Sequence, residues 1–237
     1  MPADREDIDP AIESTGDKVH RVVRAGLGLM PVGSGTAVEI FNSLVTPPLE
    51  KRKNKWMIEV TESLQALEEK SELNISEVFE NEEFLSTLIE ASSAALKTHE
   101  NEKLSALRSA VINSATGDAP EFSKRELYLR YISELTVWHI KLLNLFNDPA
   151  EWGARNNVQF PSLYSGGRSH ILLKAYPELN NERDFYDQVW KDLYSRGLVN
   201  TDSLHGMMTG DGLMQACTTE SGQIFIGFIT TQEEENV

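Results

Sequence analysis

The sequence contains a single cysteine, Cys217, in 237 residues. A disulfide needs two thiols and structural zinc sites usually take several, so this count excludes an internal disulfide and a multi-cysteine metal centre. No two histidines stand four residues apart, and no group of His, Cys and Asp has the spacing of zinc ligands. The five histidines are His20, His99, His139, His170 and His205. We therefore predict no metal and no cofactor.

Positive charge is also scarce. The net charge is -15 at pH 7, and the stretch from Gly197 to Val237 has no Lys or Arg. An acidic surface repels nucleic acid and anionic lipid unless a local basic patch opposes it. Because phosphate neutralisation by Lys and Arg dominates DNA affinity, this charge balance argues against DNA binding by the C-terminal part of the chain.

Motifs of catalysis are absent too. Neither a Gly-x-Ser-x-Gly elbow nor a phosphate loop of the GxxxxGK[ST] type occurs. Ser165-Gly166-Gly167-Arg168 precedes a predicted helix and could hold an anion, but an ordinary loop is the favoured interpretation. His139, beside Trp138 on a long apolar helix, is expected to pack rather than to act as a base, and Cys217 to be a small buried hydrophobe. We predict that the protein is not an enzyme.

The chain has no uninterrupted apolar run. Its nearest approach is Ala25–Leu49, whose one ionisable residue is Glu39 and which is long enough to cover a bilayer core of about 20 residues. Pro31 and several polar residues dilute it, so a glycine-rich helical hairpin packed on the bundle is favoured, and triggered membrane insertion stays the alternative. With no signal peptide and one cysteine, the expected location is cytoplasmic.

Apolar residues recur at helical spacing through most of the chain, which predicts a mainly α fold. The N-terminal 135 residues are expected to form a helical bundle behind an acidic tail, Met1–Pro10. Pro47-Pro48 should end one helix and begin the next, and Asn81 should cap another. The expected helical segments are Ala11–Met30, Thr36–Val45, a helix with Trp56, Val60 and Leu64, and further helices from Asn81, Asn101 and Glu121, the last restarting at Thr136.

The C-terminal segment, 136–232, carries the most specific pattern. A helix with Phe185, Val189 and Leu193 is followed by a Thr209-Gly210-Asp211-Gly212 turn, whose predicted strand arms are Leu204–Met208 and Leu213–Thr218. Thr218 to Ile229 follows with the pattern TxxxGxxFxxFI. This order predicts a winged-helix domain with a short β-hairpin wing. Its core is expected to contain Val189, Leu193, Leu198, Phe225 and Phe228.

Two surfaces are candidates for binding. The basic run Lys51, Arg52, Lys53 and Lys55, with Trp56, is placed by the predicted helix start in a first turn, where cations oppose the helix dipole. It is a candidate membrane or partner patch, with a solvated helix face as the favoured alternative. On the predicted recognition helix, Arg183, Asp187 and Lys191 form a candidate partner surface.

Part of the chain resembles a known family. Glu102-Lys103-Leu104 to Val111-Ile112-Asn113-Ser114-Ala115, then Glu134-Leu135-Thr136-Val137-Trp138 and Leu142-Leu143, are similar to motifs of bacterial abortive-infection alpha proteins. Those proteins have an EKxxxLxxxxxNA helix before an LSPLxxxIL helix and a winged-helix tail. The resemblance covers about residues 100–229, and Val137 stands where the family has proline. It implies a bacterial accessory protein of phage defence, with no catalytic residues to carry over.

The sequence thus predicts a non-enzymatic bacterial interaction protein that contacts a protein partner through an acidic winged helix, as an accessory or effector of phage defence, and that could be a homo-oligomer. Two alternatives stay open. One is a membrane-active defence effector that inserts residues 25–49. The other is a winged-helix transcriptional regulator.

Overall fold

The computed structural model describes residues 36–70, 73–162 and 164–231, with the backbone alone for residues 36–47. The predicted helix Ala11–Met30, the acidic tail and residues 25–35 of the glycine-rich segment lie outside the described residues. Within them the chain forms eleven α-helices, one 3-10 helix and a two-stranded sheet. The prediction of a mainly α protein is confirmed.

The described chain divides into two compact units. The N-terminal unit ends at Arg130 and also takes Thr231, and the C-terminal unit spans Tyr131–Thr230. The sequence had placed the boundary between residues 135 and 136. The helices of the first unit are α1 (Thr36–Lys70), α2 (Ile75–Val78), α3 (Glu82–Lys97), α4 (Asn101–Thr116) and α5 (Phe122–Glu134), whose last turn belongs to the second unit.

Helix α1 runs through Pro47 and Pro48, so the predicted helix boundary there is wrong. Each proline lacks the N–H that would bond the carbonyl four residues earlier, and this costs the helix two hydrogen bonds without ending it. One consequence concerns the basic run. Lys51 to Lys55 lie in the middle of a 35-residue helix, not in its first turn, and the expected conflict with the helix dipole does not arise.

Helices α1, α3 and α4 pack together as the core of the N-terminal unit. The Asn81 side chain accepts hydrogen bonds from the backbone N–H groups of Glu83 and Phe84 at 2.9 and 3.2 Å, so the predicted cap of α3 is confirmed. Small residues on the facing sides of α3 and α4 allow close approach of the two backbones. The buried alanines are Ala91, Ala94, Ala95, Ala106, Ala110 and Ala115.

The C-terminal unit is built around α6 (Val137–Asn147), which begins at Thr136 as predicted and packs against α7, α8, α9 and α11. Pro, Asn, Ser and Gly between Ala150 and Gly167 predict a loop there, but the Asp148 side chain accepts from the Glu151 N–H and begins α7, so the first part of that segment is helical. The elements after α6 are α7 (Pro149–Arg155), β1 (Ser165–Gly166), α8 (Ser169–Ala175), a 3-10 helix (Pro177–Leu179), α9 (Arg183–Ser195), β2 (Met208–Thr209), α10 (Gly210–Leu213) and α11 (Glu220–Ile229).

The predicted hairpin wing is corrected. Strand β2 pairs with β1, Ser165 opposite Thr209 and Gly166 opposite Met208, and Thr218 bridges to Val199. Among the described residues the arms 204–208 and 213–218 do not pair with each other. Thr209 and Thr219 instead act as helix N-caps, and their hydroxyl oxygens accept from the backbone N–H groups three residues later. The predicted Thr209–Gly212 turn therefore begins helix α10, and the predicted strand after Thr219 is helix α11.

The expected core residues of this unit are buried as predicted. Their side chains come from α9, from the segment that follows it and from α11, with exposed fractions between 0% and 3%. They are Val189, Leu193, Leu198, Phe225 and Phe228.

Candidate functional site

Helix α9 has one face inside the C-terminal unit and one face in solvent. The indole N–H of Trp190 donates to the Thr201 carbonyl at 2.9 Å, and Gly197, at φ +70°, lets the chain leave the helix end in the left-handed region. These contacts fix the rotation of α9 about its axis. The buried side chains are Tyr186, Val189, Trp190 and Leu193.

The three predicted partner residues lie on one side of α9. Arg183, Asp187 and Lys191 are four residues apart, a spacing that aligns side chains along a helix. The Arg183 Nε lies 3.5 Å from one Asp187 carboxylate oxygen, and the His205 Nε2 lies 2.8 Å from the other. We call these four residues the α9 surface. Arg183 and His205 thus hold the Asp187 carboxylate in one orientation before any other protein binds.

His205 is the member of the α9 surface that sequence reasoning missed. It lies 18 residues after Asp187, beyond the end of α9 and in the segment that was predicted as a strand arm, Leu204–Met208. Its ring also lies against Tyr186, with ring centroids 6.0 Å apart. Nothing in the local pattern around His205 predicts either contact.

Two aromatic side chains of α9 are partly in solvent. Phe185 is 40% exposed and Tyr194 is 47% exposed. Phe185 also makes an edge contact with Trp138, with ring centroids 6.5 Å apart. Aromatic residues and arginine are the residue types most enriched in protein interfaces. Tyr194, seven residues after Asp187, lies on the side of the charged residues, whereas Phe185, two residues before Asp187, lies on the opposite flank of the buried face.

Arg168, which was predicted to belong to a loop that could hold an anion, is buried and makes a hydrogen bond inside the C-terminal unit. Its Nη2 donates to the Gly212 carbonyl in α10 at 3.2 Å, while its Nε has no hydrogen-bond partner among the described residues. Cys217 is fully buried, as predicted. Burial raises the pKa of its thiol to about 11, although Arg168 acts in the opposite direction. The thiol is protonated at neutral pH, so it is a poor nucleophile.

We expect Cys217 to resist alkylation in the folded protein. Because its pKa is raised from 9.0 to about 11, the reactive thiolate is about 100-fold scarcer near pH 8 than in the unfolded chain. Iodoacetamide labelling followed by mass spectrometry should therefore be at least about 100-fold slower in native buffer than in concentrated urea. Equal rates in the two conditions would show that Cys217 is accessible.

The basic run of α1 has a different arrangement from the one predicted. Lys51, Arg52 and Lys55 are exposed, and Lys53 and Lys55 lie 3.6 Å from Glu50 and Glu59, respectively. Trp56 is not a surface residue. It is 2% exposed, and its indole N–H donates to Ser92 Oγ at 2.9 Å in the core of the N-terminal unit. Trp56 therefore leaves the candidate patch.

Ile58 takes the place of Trp56 on the outer face of α1. It is 50% exposed, and it follows Lys51 and Lys55 at the spacing of seven and three residues that places side chains on one helix face. The indole was assigned to the patch because it is next in sequence to Lys55. The helical period would have favoured Ile58.

The C-terminal unit also contains an open cleft of about 420 Å³. Its one ionisable lining residue is Asp211, and Gly153 provides a flat wall because a Cβ there would lie 2.8 Å from the Phe160 ring. The remaining lining side chains are small or apolar. Among the described lining residues, Asp211 and Ser162 are the ones with polar side chains.

In the described part of the chain, no three His, Cys, Asp or Glu side chains are grouped so that they could hold a metal ion. Among the described helices, none combines the length and the apolarity that crossing a bilayer requires. Residues 25–35 of the glycine-rich segment lie outside the described residues, and membrane insertion stays a prediction.

Comparisons with protein-family models, with curated proteins and with solved structures gave no match to this chain. The candidate site is therefore defined by its own geometry.

Proposed function

We propose that this chain is a non-enzymatic interaction protein whose C-terminal unit contacts a protein partner through the α9 surface. The observation that carries the proposal is the position of Asp187 between Arg183 and His205. A carboxylate held in this way loses little side-chain entropy on binding, which favours association. Phe185 and Tyr194, each partly exposed, add apolar area to the same helix.

The order of elements supports a winged-helix-like arrangement without the predicted wing. The order of that fold is present in α6, β1, α8, α9 and β2, with α7 inserted after α6 and the 3-10 helix after α8, and β1 pairs with β2. In this assignment α9 is the counterpart of the recognition helix. We propose that it has kept the exposed position of a recognition helix and serves a protein contact.

The charges of α9 favour a protein partner over DNA. Phosphate binding needs several available cations. Arg183 is paired with Asp187, and Arg196, just after the helix, lies 2.9 Å from Glu134 and over the Tyr131 ring. Among the described residues this leaves Lys191 as the one cation of α9 without an ion pair. A transcriptional regulator is therefore the weaker candidate.

The proposal is tested by site-specific photo-crosslinking in cells of the source organism. A photoreactive residue at Gln188, exposed on α9, should give one discrete protein adduct. The same residue at Asn156, exposed in the turn after α7, is the matched control and should not give this adduct. Reversing Arg183 and Lys191 to Glu should reduce the Gln188 adduct by about tenfold or more, since like charges brought together at an interface cost several kcal/mol and about 1.4 kcal/mol is a tenfold loss of affinity.

An adduct that forms equally from Gln188 and Asn156, or that survives the charge reversal, would contradict a specific α9 contact. Fluorescence anisotropy with duplex DNA tests the regulator alternative. Binding below micromolar at physiological salt, with a steep salt dependence, would favour DNA. We expect weak binding.

The biological setting is part of the same proposal. The resemblance of residues 100–229 to bacterial abortive-infection alpha proteins supports an accessory or effector role in phage defence, and it carries over no established catalytic residues to this chain. A toxin, nuclease or ATPase gene beside this one would support the setting.

A further inference from the structure

His139 is held at the start of α6 by an unusual cap. The Thr136 backbone N–H lies 3.1 Å from the imidazole Nδ1, and the Thr136 hydroxyl lies 2.9 Å from the same atom. A backbone N–H can only donate, so Nδ1 must accept, and the ring proton of the neutral imidazole is on Nε2. Capping boxes usually use Glu or Gln at this position, which accept over the whole neutral range, whereas a histidine accepts only while Nδ1 is unprotonated.

The other ring nitrogen, Nε2, faces helix α9. Nε2 is buried without a partner among the described residues, and the nearest carboxylate oxygen, Oδ2 of Asp192 on α9, is 3.5 Å away. The charged groups that act on His139 are Asp192 and Arg196. Arg196 is itself paired with Glu134 at the end of α5. Helices α7, α8 and α11 also pack on α6, but none of the charges that act on His139 comes from them.

We propose that His139 is a proton-operated latch between the start of α6 and helix α9. The neutral ring accepts from the Thr136 N–H and so caps α6. When the ring takes up a proton, Nδ1 becomes a donor. It can then donate to the Thr136 hydroxyl, the Thr136 N–H loses its acceptor, and the charged Nε2–H attracts Asp192. One proton thus exchanges a helix cap for an ion pair to α9, and this device is independent of any partner.

The direction of the pH dependence follows from burial. Burial lowers the pKa of His139 from 6.5, and the Asp192 carboxylate opposes this effect without reversing it. The unfolded chain therefore takes up the proton at a higher pH than the folded chain. The contribution of the cap to stability is complete above about pH 6.5 and is lost as the pH falls through the lower, folded-state pKa.

Nuclear magnetic resonance of the full chain between pH 8 and pH 5 tests the latch. At pH 8, imidazole nitrogen shifts should show the Nε2–H tautomer of His139. On acidification the Thr136 amide resonance should move with the same midpoint as the His139 ring. A His99→Gln variant, which removes an exposed imidazole, should leave that midpoint unchanged. An Nδ1–H tautomer at pH 8, or a Thr136 amide that does not follow His139, would overturn the proposal.

Two variants give shifts of opposite sign. Asp192→Asn removes the attraction for the charged ring, so the midpoint should fall by about 0.5 to 1 pH unit, and Arg196→Gln removes a repulsion, so it should rise by a smaller amount. Both side chains are partly exposed, so both variants are expected to fold. If His139 only packs, the ring midpoint would still respond to these charges, but the Thr136 amide resonance would not move with it. Midpoints that are unchanged, or that move in the same direction, would refute the latch.

Discussion

Replacing Gly222 by alanine should destabilise the C-terminal unit by about 3 kcal/mol or more. Gly222 lies in the first turn of α11, and a Cβ at this position would be 2.1 Å from the Leu198 carbonyl oxygen and 3.1 Å from its carbonyl carbon. Neither atom belongs to a flexible side chain, so the two backbones would have to separate. The α9 end and the α11 start are held at this point by two hydrogen bonds, from the Thr219 N–H to Leu198 and from its hydroxyl to Gly197.

Gly227 is the matched control, because it lies in the same helix and, outside that helix's own backbone, no atom of the described residues lies within 4 Å of its would-be Cβ. Gly227→Ala should stabilise by about 0.5 to 1 kcal/mol, as alanine favours the helix. Calorimetry and tryptophan fluorescence measure both, since the C-terminal unit contains three of the four tryptophans, Trp138, Trp152 and Trp190. If Gly222→Ala were as stable as Gly227→Ala, the close approach of α11 to Leu198 would be wrong.

The features that the sequence predicted correctly depend on local signals. The Asn81 cap acts within three residues, and the Thr136 restart marks the end of one apolar repeat and the start of the next. The buried face of α9 follows from the period of 3.6 residues, which brings Val189 and Leu193 to one side. In these cases the local preference and the tertiary packing agree.

The prediction of a β-hairpin wing was wrong because the same sequence pattern is compatible with two structures. Thr209-Gly210-Asp211-Gly212 resembles a hairpin turn, yet a threonine followed by an acidic residue also begins a helix. Phe225, Phe228 and Ile229 recur at the spacing of three and four residues that places side chains on one face of a helix. This spacing favours the helix α11 over a strand. The predicted helix boundary at Pro47-Pro48 was wrong for the opposite reason. Proline is a strong local signal for the end of a helix, but here the residues on both sides continue one helix through it.

The sequence predicts the residues of the candidate site that share one helix, but not those that reach it through tertiary contacts. Arg183, Asp187 and Lys191 share a predicted helix, so their alignment follows from spacing alone. His205 and Asp192 acquire their roles through tertiary contacts, to Asp187 and His139, respectively. Each contact joins elements that an irregular segment or several helices separate, and single-sequence periodicity carries no information about such pairs.

Replacing Leu193 by alanine should cost about 2 to 5 kcal/mol of the free energy of unfolding. Leu193 is fully buried on the inner face of α9, and its carbonyl accepts from the Leu198 N–H where the chain turns out of the helix. The substitution removes three carbon atoms from this contact and leaves a cavity.

Leu193→Met, of similar volume, should cost less than about 1.5 kcal/mol, which keeps the test usable if the alanine variant does not fold. The neighbouring Tyr194→Ala, at a position 47% exposed, should change stability by less than about 1 kcal/mol. Urea unfolding followed by fluorescence ranks the three variants, and a Tyr194→Ala cost above that of Leu193→Ala would mean that the inner and outer faces of α9 are exchanged.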